Sequence, residues 1–208
     1  MMNASSDVLL QYTDDDFDSY QNIFDNAKTD VSDSDKTRLI NSLKNLTERQ
    51  DIENTVDTAA VTRYFVVHNF VLNFDSYTGS MIHNYYLYEK DGVLLMIPWD
   101  YNLSFGGMGR SEDATEVVNS AIDDAFSGTD FFDTLMASQT YHRQYYDWLE
   151  KIVEEYIEGG GLDAFYSRAR SQLDSLVASD PTAFYSYDAY QTAAQTLYQV
   201  VRLRGQSI

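Results

Sequence analysis

Three polar residues in the middle of the chain have the types and the placement that chemistry requires. Asp75 follows a long apolar helix pattern, Asp100 follows a predicted β-hairpin, and Asn84 stands at the start of that hairpin. Two carboxylates that meet at one end of a hairpin can divide the work of phosphoryl transfer. One accepts the proton of an attacking hydroxyl, and the other holds the Mg²⁺ that bridges nucleotide phosphates. The amide oxygen of Asn84 is a suitable second ligand for this hard cation.

The helix expected to position Asp75 begins the central unit of the chain, residues 57–107. Asp57 can accept hydrogen bonds from first-turn N–H groups, and from there to Leu72 apolar residues cover nearly the whole helix circumference. Such a helix is buried on most sides. Residues 75–80 are rich in short side chains that bond their own backbone and include a glycine, so we expect a turn there.

The hairpin expected to position Asp100 follows this turn. Two aromatic or aliphatic segments, 84–88 and 93–97, flank Asp91-Gly92, which is one of the stronger short signals for a hairpin turn. Pro98 has no N–H for the strand ladder, so it is expected to end the second strand. Asp100 is then expected in a loop immediately beyond the sheet edge.

The remaining sequence predicts helical support for this unit. Amphipathic patterns predict helices over residues 17–24, 39–46, 131–136, 139–158, 162–177 and 188–203, the last of them capped by Asp188. Residues 106–129 resemble a long surface loop with one helical turn, and residues 8–12 a short strand or hinge. We therefore expect a mainly α fold of the α+β class, a helical bundle around a buried β-hairpin. It would form one domain over 1–208, with a helical tail at 130–205.

Charge narrows the range of partners. The 33 acidic side chains outnumber the 14 basic ones, so the net charge is −19. Nucleic acids and anionic membranes would meet a repulsive field, and an anionic ligand would need a bound metal ion as intermediary. We expect no nucleic-acid partner, whereas a basic partner would be attracted, although an acidic surface also serves solubility alone. The chain has no cysteine and no apolar run of the roughly 20 residues that a membrane span needs.

The spacing of the two aspartates leaves a simpler interpretation open. Aspartates that cap turns after helices are common and do no chemistry. The histidines offer no zinc site, since His68, His83 and His142 are few and scattered. His68, on the apolar helix, is expected to be a core or rim residue. Spacing alone therefore does not separate a catalytic pair from two structural aspartates.

A resemblance to a known family favours the interpretation of the two aspartates as a catalytic pair. The segment HNYYLYEKDGVLLMIPWDYNLSFGG, residues 83–107, and the preceding NFDSYTG, residues 73–79, resemble the signature of the CotH (spore coat protein H) kinase family. In that signature an Asp-containing loop precedes an H-N-Y-Y-L-Y strand, and a hairpin leads to I-P-W-D followed by F-G. The resemblance is specific across 57–107 and extends more loosely to the terminal LRGQSI.

The resemblance implies a protein-kinase-like C-lobe from an atypical kinase that is extracellular or attached to the cell surface. Such a kinase would use ATP with Mg²⁺ or Mn²⁺ to phosphorylate Ser or Thr of protein substrates. By position, Asp75 matches the catalytic aspartate, Asp100 matches the metal-binding aspartate, and Asn84 matches the asparagine of the H-N-Y-Y motif. The rim of the site would be formed by His83, Trp99 and Asn102.

Two departures from the family pattern bear on activity. Many members have a second acidic residue two positions after the W-D aspartate, where this chain has Asn102, so one charge near the metal is lost. No G-x-G-x-x-G motif occurs, and a nucleotide-binding lobe is expected upstream of Val8. We therefore expect this fragment alone to catalyse little. The alternative is a non-catalytic pseudokinase, a cell-surface module that holds a basic partner on its acidic face.

Overall fold

A computed structural model describes residues 5–79, 82–107, 114–124 and 130–208. The helices are α1 (Gln21–Phe24), α2 (Asp33–Glu48), α3 (Ile52–Thr55), α4 (Thr58–Phe70), α5 (Ala114–Asn119), α6 (Asp130–Met136), α7 (Gln139–Lys151), α8 (Gly161–Ser179) and α9 (Tyr187–Ser207). A 3-10 turn, Phe17–Tyr20, precedes α1, and a π-helical segment, Ile152–Glu158, continues α7. Strands β1 (Tyr85–Lys90) and β2 (Val93–Pro98) pair antiparallel. The prediction of a mainly α fold with one β-hairpin is confirmed.

Helix α4 lies at the centre of the core. Asp57 accepts the N–H of Ala60 at 2.9 Å, so the predicted N-cap is confirmed. Eight of the thirteen residues of α4 are buried. The ring of Phe65 meets Phe132 at 5.1 Å and Phe131 at 5.8 Å, both edge to face, which is a favourable geometry for aromatic pairs. The helix is therefore covered on most sides, as its sequence predicts.

The hairpin is buried on one face and exposed on the other. Leu94 and Met96 of β2 point into the core, whereas Tyr88 and Ile97 on the outer face are 45 % and 43 % exposed. This alternation follows from the two-residue period of a strand. The Leu94 carbonyl also accepts the N–H of Asp57 at 2.9 Å, which ties the hairpin to the start of α4. The expectation of a buried hairpin is thus right for its inner face only.

Serine side chains cap the N-termini of α2 and α9. Ser32 begins α2 with a capping box, in which its side chain accepts the Asp35 N–H while the Asp35 carboxylate accepts the Ser32 N–H. For α9, Ser186 is the N-cap, because its hydroxyl accepts the Ala189 N–H at 3.2 Å. The prediction that Asp188 caps α9 is wrong, since Asp188 lies in the first turn, where its charge still favours the helix dipole.

The structure corrects one expectation about an irregular segment and adds detail to a second. Residues 8–12 form a turn and no strand, with Leu10 completely buried. Within the predicted loop at 106–129, helix α5 buries Val117 and Val118, and this helix packs against α9. The residues 108–113 and 125–129 of that loop lie outside the described part. Among the described helices, none has both the length and the apolar composition to cross a bilayer.

Candidate functional site

The loop that carries Asp75 leaves the end of α4 through a tight reversal. The N–H of Asn73 donates to the His68 carbonyl at 3.0 Å, and Leu72 has a φ of +52°. This left-handed conformation is uncommon for residues other than glycine and turns the chain back on itself. Asn73 is only 2 % exposed, so the start of the loop is anchored in the protein interior.

The Asp75 carboxylate has a protein partner on each oxygen. Asn84 Nδ2 donates to Oδ2 at 2.8 Å, and His83 Nδ1 lies 3.2 Å from Oδ1. An ionised carboxylate can only accept, so His83 carries a proton on Nδ1 in this pair. The Asp75 side chain is 15 % exposed, and that of His83 is 64 % exposed. Asp75 is therefore fixed in orientation and still reaches solvent.

Asn84 reaches Asp75 because its own backbone is left-handed. Its φ is +48°, a value that asparagine adopts more readily than most residues, and the residue is 6 % exposed. The amide nitrogen is used by the Asp75 carboxylate, which leaves the amide oxygen as the atom for a cation. Asn84 thus orients Asp75 through a direct hydrogen bond, and its role as a metal ligand stays a prediction.

One buried side chain links the Asp75 loop to the Asp100 loop. The Oδ1 atom of Asn73 accepts the N–H of Asp75 at 3.3 Å, and its Nδ2 atom donates to the carbonyl oxygen of Asp100, also at 3.3 Å. Because one amide group contacts both backbones, the two loops must lie side by side. Two aspartates that are far apart in sequence are therefore neighbours at the end of α4.

The Asp100 loop has a second connection to α4. The N–H of Phe105 donates to the Val71 carbonyl at 2.7 Å, so it pairs with one of the carbonyl groups that a helix end leaves open. Asp100 has a φ of +60° and is exposed. Its carboxylate makes no hydrogen bond or ion pair with any residue that the structure describes. This carboxylate is therefore accessible from solvent.

His68 packs between α4 and the residue that follows Asp100. Its ring stacks on Tyr64 with centroids 3.8 Å apart and meets the ring of Tyr101 at 4.9 Å. Nδ1 lies 2.7 Å from the Tyr64 carbonyl oxygen, so this nitrogen carries the proton. Burial lowers the pKa of His68 to about 4, and the ring is neutral near pH 7. The expectation of a core histidine is confirmed, and the ring also supports the Asp100 loop.

A buried arginine from the last helix supports the same end of α4. Arg204 is fully buried, and its guanidinium donates to the carbonyl groups of Asn69 and Phe70 in the last turn of α4. It also donates to Val118 and Ser120 at the end of α5. A cation at two helix carboxyl termini is favourable because the helix dipoles are negative there. Burial lowers the pKa of Arg204 to about 10, so the charge remains near pH 7.

The predicted rim residues occupy the exposed side of the site. Trp99 is 45 % exposed, and its ring lies 5.5 Å from that of Tyr86 on the outer face of the hairpin. Asn102 lies on the exposed turn that follows β2. Of the three rim residues, His83 is the one whose side chain contacts the predicted catalytic carboxylate, that of Asp75.

The oxygen donors of the site suit Mg²⁺ or Mn²⁺, although the protein supplies few of them. Asp100 offers an accessible carboxylate, and the adjacent loop offers the oxygens of Asp75 and Asn84. Within the described ranges, no three His, Cys, Asp or Glu side chains form a group that could hold a metal ion. This donor set fits a hard cation that keeps several waters and takes other ligands from substrate phosphates.

Two adjacent aspartate loops thus lie at the end of a buried helix and a hairpin in a mainly helical fold. The sequence model of the family described as CotH kinase protein matches residues 1–208. The chain therefore belongs to the CotH kinase family, as the resemblance predicted. Among curated proteins, none matches the chain.

Sequence reasoning missed two residues that shape the site. Asn73 gave no signal beyond its place at the end of the apolar helix, because its importance comes from two backbone partners in different loops. Arg204 gave a signal that was not used. It follows Val200 by four positions and Val201 by three, so it lies on the apolar face of α9. A cation on such a face requires buried acceptors.

Proposed function

We propose that this chain is the catalytic-loop and metal-binding part of a protein kinase that transfers the γ-phosphate of ATP to Ser or Thr of protein substrates. The observation that supports the proposal most is the side chain of Asn73. It hydrogen-bonds to the backbone of both Asp75 and Asp100, so a base and a cation ligand can act on one substrate. Phosphoryl transfer needs mainly such positioning together with charge stabilisation.

In this proposal Asp75 is the general base. Its carboxylate is oriented by Asn84 and His83 and still reaches solvent, where the acceptor hydroxyl would approach. Asp75 takes the hydroxyl proton as the acceptor oxygen forms its bond to the γ-phosphorus, while the bond from that phosphorus to the β–γ bridging oxygen breaks and ADP leaves. The two hydrogen bonds keep the carboxylate from turning away.

Asp100 is the principal ligand for Mg²⁺ or Mn²⁺, with the amide oxygen of Asn84 as a second ligand. When bound, the cation neutralises charge on the phosphates of ATP. This neutralisation matters here because a chain with a net charge of −19 would otherwise repel the nucleotide. Asp100 and Asn84 would therefore hold the cation, while the Tyr101 ring packed on His68 keeps the Asp100 loop in place.

The proposal extends to the substrate and the location. Family membership implies protein substrates, and the acidic surface favours basic segments around the acceptor Ser or Thr and disfavours nucleic acid. We place the protein outside the cell or on its surface. A nucleotide-binding lobe would complete the ATP site.

The test is phosphate transfer from labelled ATP by the full-length protein. Asp75→Asn should lower the rate by about 10²–10⁴-fold, because it removes a general base. Asp100→Asn should abolish transfer that depends on Mg²⁺ or Mn²⁺. Asp91→Asn is the matched control, since this aspartate is exposed in the hairpin turn at the other end of the sheet. Undiminished transfer in either site variant would exclude the assigned role.

A second candidate is a pseudokinase that binds a basic partner without catalysis. It is favoured by the absence, among described residues, of a three-residue metal group and by Asn102 in place of a second acidic residue. Thermal unfolding of the full-length protein with and without ATP and Mg²⁺ distinguishes the two. A kinase should gain stability on binding, and a pseudokinase that binds no nucleotide should not. Partner binding that is independent of metal would support the second candidate.

A further inference from the structure

The net charge of this chain is confined to its first three-quarters. Residues 1–160 contain 29 of the 33 acidic side chains and 10 of the 14 basic ones, a net charge of −19. Residues 161–208, which form α8 and α9, contain four acidic and four basic side chains and are neutral. The helical hairpin of α8 and α9 is therefore electrostatically different from the rest of the protein.

Polar and aromatic groups hold the two helices of this hairpin together. The rings of Tyr166 on α8 and Tyr198 on α9 lie 4.6 Å apart. The hydroxyl of Tyr190 on α9 donates to Asp174 on α8 at 3.1 Å, and Arg170 donates to both oxygens of Asp174 at 2.6 and 2.9 Å. The contact between the helices thus includes a pair of tyrosine rings and a hydroxyl–carboxylate hydrogen bond, and the Arg170–Asp174 ion pair lies within α8.

Several large apolar side chains of the hairpin face solvent. In α8 the only buried residue is Leu162, while Phe165, Leu173 and Leu176 are 50 %, 46 % and 63 % exposed. Their spacing of eight and three residues places them on one side of the helix, within about 80° of each other. On α9, Leu197 is 48 % exposed. Phe165, Leu173, Leu176 and Leu197 are called the hairpin face below.

In this hairpin polar groups lie between the two helices and apolar side chains lie outside. An isolated helical hairpin is stable with the opposite arrangement. Soluble proteins place apolar stripes between packed helices and polar groups outside, and a larger exposed apolar patch marks an interaction site. At the tip of the hairpin, Phe184 and Tyr185 are 97 % and 80 % exposed. The hairpin face and this tip therefore indicate an interaction site for a partner that presents apolar surface.

We propose that the hairpin face is a dimer interface, and that its occupant is the same face of a second copy of this chain. The charge distribution supports this choice. Two chains of charge −19 repel each other over residues 1–160, so residues 161–208 are the region where they can meet without that cost. A basic partner would instead be drawn to residues 1–160. Pairing of two hairpins by a two-fold axis gives a four-helix arrangement that covers both apolar stripes.

The size of the hairpin is sufficient for such an interface. Helices of 19 and 21 residues are about 28 and 31 Å long, and each is about 10 Å wide. Side by side they present on the order of 500 Å² per copy in projection, near the lower end of stable interfaces. A moderate affinity is therefore expected, so that the dimer forms and dissociates with concentration. This proposal does not depend on whether the protein is a kinase.

The test is sedimentation velocity over a range of protein concentrations, with the full chain. Wild type should shift from monomer to dimer as concentration rises, and more readily at about 0.5 M than at about 0.05 M salt, because salt screens the repulsion between the acidic regions. The variant with Leu176→Glu and Leu197→Glu should dimerise at least tenfold more weakly. Both residues are exposed, so circular dichroism should show unchanged helix content.

A matched control adds the same charge elsewhere. Tyr88→Glu with Ile97→Glu changes two residues of similar exposure on the outer face of the β-hairpin, and dimerisation should be retained. Wild type that remains monomeric at all concentrations and both salt levels overturns the proposal and leaves the face to a different protein. Equal dimerisation of wild type and the leucine variant also overturns it, as does equal loss in the control.

Discussion

Helices α4 and α8 use apolar side chains in opposite ways within one chain. Helix α4 buries eight of its thirteen residues, whereas α8 buries one of nineteen. The Phe65 ring on α4 meets four other aromatic rings in the core, while Phe165 on α8 is half exposed. The comparison shows that an apolar residue stabilises this fold only where a second layer covers it. The candidate site lies at the end of the covered helix.

The largest expected effect separates these two helices directly. Phe65→Ala should lower the free energy of unfolding by about 3–5 kcal/mol, because it removes a buried ring and leaves a cavity. Phe165→Ala, on the exposed side of α8, should change it by less than about 0.5 kcal/mol. Urea unfolding at protein concentrations below self-association measures both. Similar losses for the two variants would mean that α8 is covered within the monomer.

The next effect compares two arginines on α9. Arg204→Met should cost about 3 kcal/mol, because several buried carbonyl groups lose their donor at about 1–3 kcal/mol each, offset in part by relief of a buried charge. Arg202→Met should cost less than about 1 kcal/mol, since this side chain is 42 % exposed and makes a surface ion pair with Asp163. Thermal unfolding of both variants provides the measurement. A cost for Arg204→Met as small as that for Arg202→Met would contradict the buried role.

A pH-dependent effect concerns the site end of α4. The pKa of His68 is about 4 in the folded protein and about 6.5 once exposed. Between about pH 4 and pH 6.5 the His68 ring is protonated in the unfolded chain and neutral in the folded protein. The stability that comes from the neutral buried ring is therefore fully present above about pH 6.5. It is lost as pH falls towards 4, by up to about 3 kcal/mol.

The variant His68→Phe isolates this contribution because it keeps an aromatic ring between Tyr64 and Tyr101. Urea unfolding from pH 7 to pH 4 should show a shallower loss of stability in the variant than in wild type. Carboxylates that titrate in the same range contribute to both proteins, so the difference belongs to His68. Parallel curves would show that the ring is solvated in the native state.

The smallest expected effect comes from the serine N-caps of two helices, Ser32 at α2 and Ser186 at α9. Ser32→Ala should cost about 1 kcal/mol, because it removes the hydroxyl that accepts the Asp35 N–H and donates to the Asp35 carboxylate. Ser186→Ala at α9 should cost less, since one hydrogen bond is lost and the first turn of α9 packs against little else. Thermal unfolding measures both costs. A larger cost at Ser186 would indicate that the tip of the α8–α9 hairpin is held more firmly than its exposure suggests.

Much of the central unit could be predicted because its signals are local. The cap at Asp57, the turn at Asp91-Gly92 and the alternation along the strands each depend on a few neighbouring residues. The prediction of a loop with one helical turn at 106–129 did not identify the position of α5, because this helix is short and packs against α9. Local patterns carry little information about such a contact, since helix stability in proteins comes mostly from packing.

The sequence by itself determined the central helix, the hairpin, the acidic charge and the family to which the chain belongs. Only the tertiary structure decided that Asn73 joins the loops of Asp75 and Asp100, that Arg204 closes the end of α4, and that the apolar side of α8 is left exposed. The physical reason is the separation along the sequence over which each kind of interaction acts. Helix periods and turn chemistry act over a few residues, whereas these three features depend on partners brought together from distant parts of the chain.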